Sequence, residues 1–251
     1  MANQPHGHTL VSGAVGGLGT AMVRRLLNDG HAIIACDRRE SLAGDWLMQI
    51  PADQRDRVSF YPLDVSKEDQ VIALAHTLSG KDIHVAYLIN NAGINGAGEV
   101  WALESRVWER VIRVNLYGTF YLTRAFSHAM IEKSFGRIVN LASLYAYHPG
   151  EGEAPYAAAK AGITGYTRST ALDLAKHGIT VNVIAPGMIW HEGLKGVIPE
   201  DAFAKILRRV PVGRSGKPEE IAATVAFLCS DDAAYITGQT IHVNGGLYLP
   251  G

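Results

Sequence analysis

From Thr9 onward the chain alternates short apolar runs with longer segments of amphipathic, helical character. That alternation predicts repeated βαβ units and a parallel sheet. Strands are expected around Thr9–Val11, Ala32–Cys36, Val58–Tyr61, Ala86–Ile89, Arg137–Leu141, Thr180–Ile184 and Thr240–Val243. Helices are expected near Leu18–Asn28, Lys67–Leu78, Arg106–Lys133, Pro155–Lys176 and Pro218–Cys229. Seven strands in one layer with helices on both faces make a doubly wound α/β fold. No linker, low-complexity stretch or internal repeat breaks the pattern, so one domain is expected over residues 1–251, with 1–8 as an N-terminal tail.

Composition narrows the partners. With 251 residues, 47% hydrophobic and 19% charged, the chain has ample material for one large core. A formal net charge of -1 gives no global electrostatic reason to bind nucleic acid or an anionic membrane, so small molecules are the expected partners. Cys36 and Cys229 each sit in an apolar run, which predicts two free buried thiols rather than a disulfide, and no metal site is expected. The first ten residues carry neither a basic stretch nor an apolar h-region, and no apolar run approaches membrane-spanning length. A cytoplasmic location is the expectation.

Candidate chemistry begins at Ser12-Gly13-Ala14-Val15-Gly16-Gly17-Leu18-Gly19, between a strand and a helix. Glycines there allow a tight turn and let a pyrophosphate approach backbone N–H groups at the helix N-terminus. Asp37 follows 20 residues after Gly17, at the end of the second strand. A carboxylate at that place accepts hydrogen bonds from the adenosine ribose hydroxyls of NAD and repels a 2′-phosphate. Arg38 and Arg39 pull the other way, since either can reach a 2′-phosphate or stack on adenine. Asp64-Val65 closes the third strand, where the carboxylate either meets the adenine amino group or caps the next helix. Asn90-Asn91-Ala92-Gly93 either lets the backbone lie close to a nucleotide or forms a plain turn.

Asn115 is an amide set among Val111, Ile112, Val114 and Leu116, so it is either a structural tie or a water-holding member of a site. Ser143 stands at the C-terminal edge of the fifth strand, the edge where doubly wound sheets bind ligands. No histidine or carboxylate is placed to activate it, which favours a hydrogen-bonding role over a hydrolytic one. Tyr156 and Lys160 share a helix face at i and i+4. A lysine there is expected to lower the Tyr pKa toward working pH and make it usable as an acid/base; by itself such a pair is more often a packed ring and a snorkelling amine.

Taken together, Gly13, Gly17, Gly19, Asp64, Asn90-Asn91-Ala92-Gly93, Asn115, Ser143, Tyr156-x-x-x-Lys160 and Pro186-Gly187 resemble the short-chain dehydrogenase/reductase family over essentially the whole chain. The resemblance implies a single Rossmann-like domain and a homotetramer, with Ile236–Gly246 as the final strand and a subunit contact. It implies an NAD(H) cofactor, with NADP as the alternative, held by Ser12, Gly13, Gly17, Leu18, Gly19, Asp37, Arg38, Asp64, Val65, Asn91, Ala92, Gly93, Tyr156, Lys160, Pro186, Gly187 and Ile189. It also implies roles: Tyr156 exchanges the substrate's hydroxyl proton, Lys160 holds the nicotinamide ribose and depresses the Tyr156 pKa, Ser143 donates to the substrate oxygen, and Asn115 holds a relay water.

Three departures bear on this. Ser12 replaces the family's usual Thr and keeps the hydroxyl. His191 stands where many members have a Thr that binds the nicotinamide carboxamide. The Gly136-Arg137-Ile138 region and the end of the chain resemble bacterial 3-oxoacyl-[acyl-carrier-protein] reductases, yet Ser134 and His177 occupy the two positions where those enzymes carry carrier-docking arginines. Substrate contacts are expected from Asn95, Ser143, Tyr145, His148, Glu153, Tyr156, Trp190 and His191, with residues 188–210 as the substrate-binding segment. That lining suits a compact polar or ring-shaped secondary alcohol and its ketone. A cationic substrate is a weaker expectation, from Glu151 and Glu153. The alternatives are an NADPH-dependent carrier-protein reductase and a non-catalytic dinucleotide-binding scaffold.

Overall fold

The structure, a computed structural model, describes residues 6–191 and 200–250. Seven strands form one parallel sheet: β1 (His8–Ser12), β2 (Ile33–Asp37), β3 (Val58–Pro62), β4 (Val85–Asn90), β5 (Gly136–Leu141), β6 (Ile179–Pro186) and β7 (Thr240–Val243), in the order β3-β2-β1-β4-β5-β6-β7. β1 pairs on one side with β2, Val11 opposite Ala35, and on the other with β4, Leu10 opposite Leu88. The chain therefore winds outward in both directions from β1 and β4, and a crevice opens beyond their C-terminal ends. Ser12, Asp37, Asn90, Leu141 and Pro186 all stand on that edge.

Helices cover both faces. α1 (Gly17–Asn28) and α8 (Pro218–Cys229) pack together on one side with α2 (Ala43–Met48), and Met22, Leu26, Trp46, Ile221 and Val225 bury against the sheet there. The other face takes α3 (Glu68–Gly80), α5 (Gly118–Lys133) and α6 (Ala154–Ala175), which bury Val71, Leu122, Phe126 and Leu174. Burying a side chain of this kind contributes about 1.5–3 kcal/mol each, so both layers are held by apolar area. Strands β2, β4, β5 and β6 are buried at every position, as expected of a sheet covered on both sides. Cys36 and Cys229 are buried free thiols.

Most predicted boundaries hold within a few residues. The expected helix Arg106–Lys133 is a correction. It comprises α4 (Ser105–Ile112), one wide π turn (Arg113–Tyr117) and α5. A π turn admits one extra residue, and this one places Asn115 on the inner side, fully buried. The short α2 and α7 (Glu200–Leu207) lie outside the predicted set, because one or two turns carry too little periodicity to stand out. Part of the expected tail, residues 1–5, and positions 192–199 of the substrate-binding segment, Glu192 included, lie outside the described residues.

A chain of buried amides ties the central strands to the helices behind them. Asn90 Nδ2 donates to Asn140 Oδ1 at 2.7 Å and to Thr123 Oγ1 at 3.2 Å, and Asn140 Nδ2 donates to Thr167 Oγ1 at 2.8 Å. These bonds link β4, β5, α5 and α6, and so set the end of β5 against the helix that carries Tyr156.

Candidate active site

A cavity of about 870 Å³ runs along the C-terminal edge of the sheet. Its lining gathers Gly13, Gly17, Leu18, Gly19, Asp37, Arg38, Asp64, Val65, Asn91, Ala92, Gly93, Asn95, Ser143, Tyr145, His148, Tyr156, Lys160, Pro186, Gly187, Ile189 and His191 from across the chain. Four expected residues are not part of it. Ser12 is buried beneath, where its Oγ donates to Ile89 O and accepts from the N–H groups of Asn91 and Ala92. Asn115 lies behind Gly93; Glu153 is the N-cap residue of α6; Trp190 packs on Phe203 with ring centroids 4.9 Å apart.

At one end, the N-terminus of α1 carries no side-chain cap, so its first-turn N–H groups are open to an anion. Close packing demands glycine at the following position: a Cβ on Gly19 would stand 2.2 Å from the Gly13 carbonyl oxygen. Asn91 braces this turn, its Nδ2 donating to the carbonyls of Ser12 and Gly13 at 3.0 and 3.1 Å. Beside it, Arg39 grips Asp37 as a fork, Nε to Oδ1 and Nη2 to Oδ2, both 2.9 Å. The N–H groups of Arg39 and Val15 add two more hydrogen bonds to the same carboxylate. Desolvation pushes the Asp37 pKa up, but the Arg39 pair outweighs it and holds the carboxyl below its ordinary range. Asp64 accepts from Ser66 N–H and Oγ, turning the chain before α3, and Lys67 is the N-cap residue. The uncapped helix, the bracing amide and the ionised Asp37 fit a dinucleotide.

At the other end, Ser143 follows β5 in extended conformation and its Oγ accepts from Tyr145 N–H at 3.1 Å. Ser143 also hydrogen-bonds the Tyr156 hydroxyl, which favours the phenolate, yet burial dominates and pushes the Tyr156 pKa up to about 12. Lys160 is 4% exposed; its Nζ donates to Leu141 O at 2.7 Å and lies 5.5 Å from the centroid of the Tyr156 ring. Burial lowers the Lys160 pKa to about 8. The expected depression of Tyr156 by Lys160 is therefore a correction for the ligand-free protein, because desolvation of the phenol is the larger effect and Ser143 is the group opposing it.

Asn115 resolves toward a structural tie. Its Nδ2 donates to Ile94 O and Val111 O, both at 2.9 Å, and its Oδ1 accepts from Ile94 N–H at 3.3 Å. Gly93 fits between this amide and the lysine: a Cβ there would stand 2.6 Å from Asn115 Oδ1 and 3.4 Å from Lys160 Nζ. His191 lies over the glycine turn, within 2.8 Å of where a Gly17 Cβ would be, and its buried Nδ1 has no partner among the described residues. The lining also includes Arg39, weighed above beside Arg38, and further Arg110, Ile206 and Arg209, which the residue spacing does not single out.

Comparisons with known proteins agree with this arrangement. Residues 13–248 match the family model described as enoyl-(acyl carrier protein) reductase. The chain is 37% identical over 240 residues to the 3-oxoacyl-[acyl-carrier-protein] reductase of Haemophilus influenzae, covering 96% of this chain and 97% of that one. It is 35% identical over 241 residues to the acetoacetyl-CoA reductase of Allochromatium vinosum, covering 96% and 98%. The crystal structure of a candidate gluconate dehydrogenase from Agrobacterium tumefaciens superposes with a TM-score of 0.93 at 31% identity, over 99% of each chain. The chain belongs to the short-chain dehydrogenase/reductase family of oxidoreductases.

Proposed function

We propose that this protein is an NAD(H)-dependent oxidoreductase that interconverts a compact polar or ring-shaped secondary alcohol and its ketone. The observation that carries the reading is the meeting of Ser143, Tyr156 and Lys160 at one end of a cavity whose other end is an uncapped helix N-terminus beside Asp37. When bound, a nicotinamide dinucleotide accepts hydride in alcohol oxidation and donates it in ketone reduction. Gly13, Gly17, Leu18 and Gly19 would hold its diphosphate, Asp37 its adenosine ribose, and Asn91, Ala92, Gly93, Pro186, Gly187 and Ile189 would flank its remainder.

In oxidation Tyr156 takes the hydroxyl proton; in reduction it returns that proton to the ketone oxygen. Ser143 donates a hydrogen bond to the same oxygen, where negative charge develops. Lys160 uses one N–H on Leu141 O, its one hydrogen bond among the described residues, which leaves the others to hold ribose hydroxyls and pass a proton toward solvent. Asn115 acts through position, keeping Gly93 and Ile94 against Lys160. A scaffold without catalysis has no physical need for this constellation. Exposed apolar residues on α5 and α6, among them Phe120 and Leu172, support association of copies of the chain, read here as a homotetramer.

A second reading is an NADPH-dependent reductase of 3-oxoacyl thioesters. It is favoured by the relatives' activities and by Arg38 and Arg39 in the lining. Against carrier docking, Arg137 is buried, donating to the carbonyls of Gly136 and Gly178, and Ser134 and His177 supply no guanidinium. The deciding experiment is a spectrophotometric screen of NAD+ and NADP+ against secondary alcohols, with acetoacetyl thioester reduction alongside. Alcohol oxidation with NAD+ is the expected result; turnover confined to thioesters and NADPH establishes the second reading instead.

A further inference from the structure

Among the described residues, the substrate end of the cavity carries an excess of positive charge. Arg209, just beyond α7, reaches across to His148, in the turn after Ser143, and its Nη2 lies 3.1 Å from His148 Nε2. A guanidinium has no lone pair, so it is the donor in this contact and the imidazole nitrogen the acceptor. Both side chains are exposed at the rim and both line the cavity. Neither Arg209 nor Arg110, a second cation on the lining from α4, has a carboxylate partner among the described residues. The acidic groups of the lining among the described residues, Asp37 at the end of β2 and Asp64 in the turn after β3, stand on the other side of the sheet's switch point from Ser143. Glu153, whose charge acts on Tyr145 and Tyr156, is outside the lining, and burial raises its pKa.

We propose that the substrate is an anion, a compact hydroxy acid whose carboxylate is held by Arg209 at the cavity rim while its carbinol meets Ser143 and Tyr156. This rests on the alcohol dehydrogenase reading above and names its substrate class. One edge of a planar guanidinium donates two parallel N–H groups to a carboxylate, and Arg209 uses only one on the imidazole, an acceptor that a carboxylate outcompetes. His148 then turns a ring N–H toward the same anion, and Arg110 adds to the field that draws it in. The proposal replaces the cationic substrate suggested by Glu151 and Glu153.

The test uses the purified enzyme with both dinucleotides and matched pairs of lactate, 3-hydroxybutyrate and gluconate with their uncharged amides. The acids are expected to exceed the amides in kcat/KM by about tenfold or more, the span of a charge-assisted hydrogen bond. Arg209→Met should collapse that ratio through KM, and Arg209→Lys should restore part of it. Amides oxidised as well as acids, or an acid preference unchanged in Arg209→Met, overturns the proposal. If no alcohol turns over, the underlying reading fails separately, and titration calorimetry of the same acids decides the subsite. Binding weakened about tenfold by Arg209→Met supports it; binding absent, or equal in both proteins, overturns it.

Discussion

Lys160 donates to the Leu141 carbonyl at 2.7 Å, which fixes the lysine of α6 to the end of the strand that presents Ser143. The ammonium is nearly solvent-free and has a pKa lowered to about 8, from an ordinary 10.5. Between those values the unfolded chain binds more protons than the folded one, so this group makes stability rise with pH. Lys160→Met removes that dependence. Thermal unfolding at about pH 8 and pH 9.5 should show the wild type gaining on the variant as pH rises. Both buried thiols are common to the two proteins and cancel, and Tyr156 acts with opposite sign only above about pH 10. Parallel curves would mean that Lys160 is not a strained buried cation.

In the proposed reading Asp37 sets cofactor choice, and Arg39 is already bound to it. Asp37→Ala takes away the group that repels a 2′-phosphate and frees a guanidinium that attracts one. Fluorescence titration should find the NADPH-to-NADH affinity ratio raised by about tenfold or more, the effect of one added charge-assisted hydrogen bond. Unchanged NADH affinity in the variant would remove Asp37 from the cofactor site.

Gly93 separates Asn115 from Lys160, and the two side-chain ends that a Cβ would meet are both held by hydrogen bonds. Gly93→Ala must shift the tied Asn115 amide or the Lys160 ammonium. Turnover is expected to fall about tenfold to a hundredfold, as for catalytic groups misplaced by about 1 Å. The far-ultraviolet circular dichroism should stay that of the wild type; full activity would show that the Asn115–Lys160 spacing is not needed.

The sheet was legible because βαβ alternation imposes a long-range pattern, and β5, expected over Arg137–Leu141, forms as Gly136–Leu141. The gathering of Ser143, Tyr156 and Lys160 was legible for a related reason, since each stands at a fixed offset from a strand end or helix face. The π turn was not, because an extra residue inside a continuous amphipathic stretch leaves its apolar spacing nearly unchanged. Nor were the positions of Ser12 and Asn115 behind the cavity wall, which depend on how small polar side chains find partners once buried. The Arg209–His148 contact joins residues 61 apart through tertiary packing alone. The sign of the Tyr156 shift turned on desolvation, which spacing along a helix does not report.

The central claim is that Tyr156 is the acid/base of an alcohol–ketone interconversion. With burial holding the phenol up at about 12 in the ligand-free protein, oxidation should accelerate with pH to at least about pH 9, because the phenolate fraction grows, while reduction should not. The most direct measurement is turnover of the best alcohol by wild type and Tyr156→Phe, with dinucleotide affinity measured on both. Loss of about a hundredfold to ten-thousandfold in kcat with affinity within a few-fold is the predicted result. A Tyr156→Phe enzyme that keeps most of its rate would contradict the account.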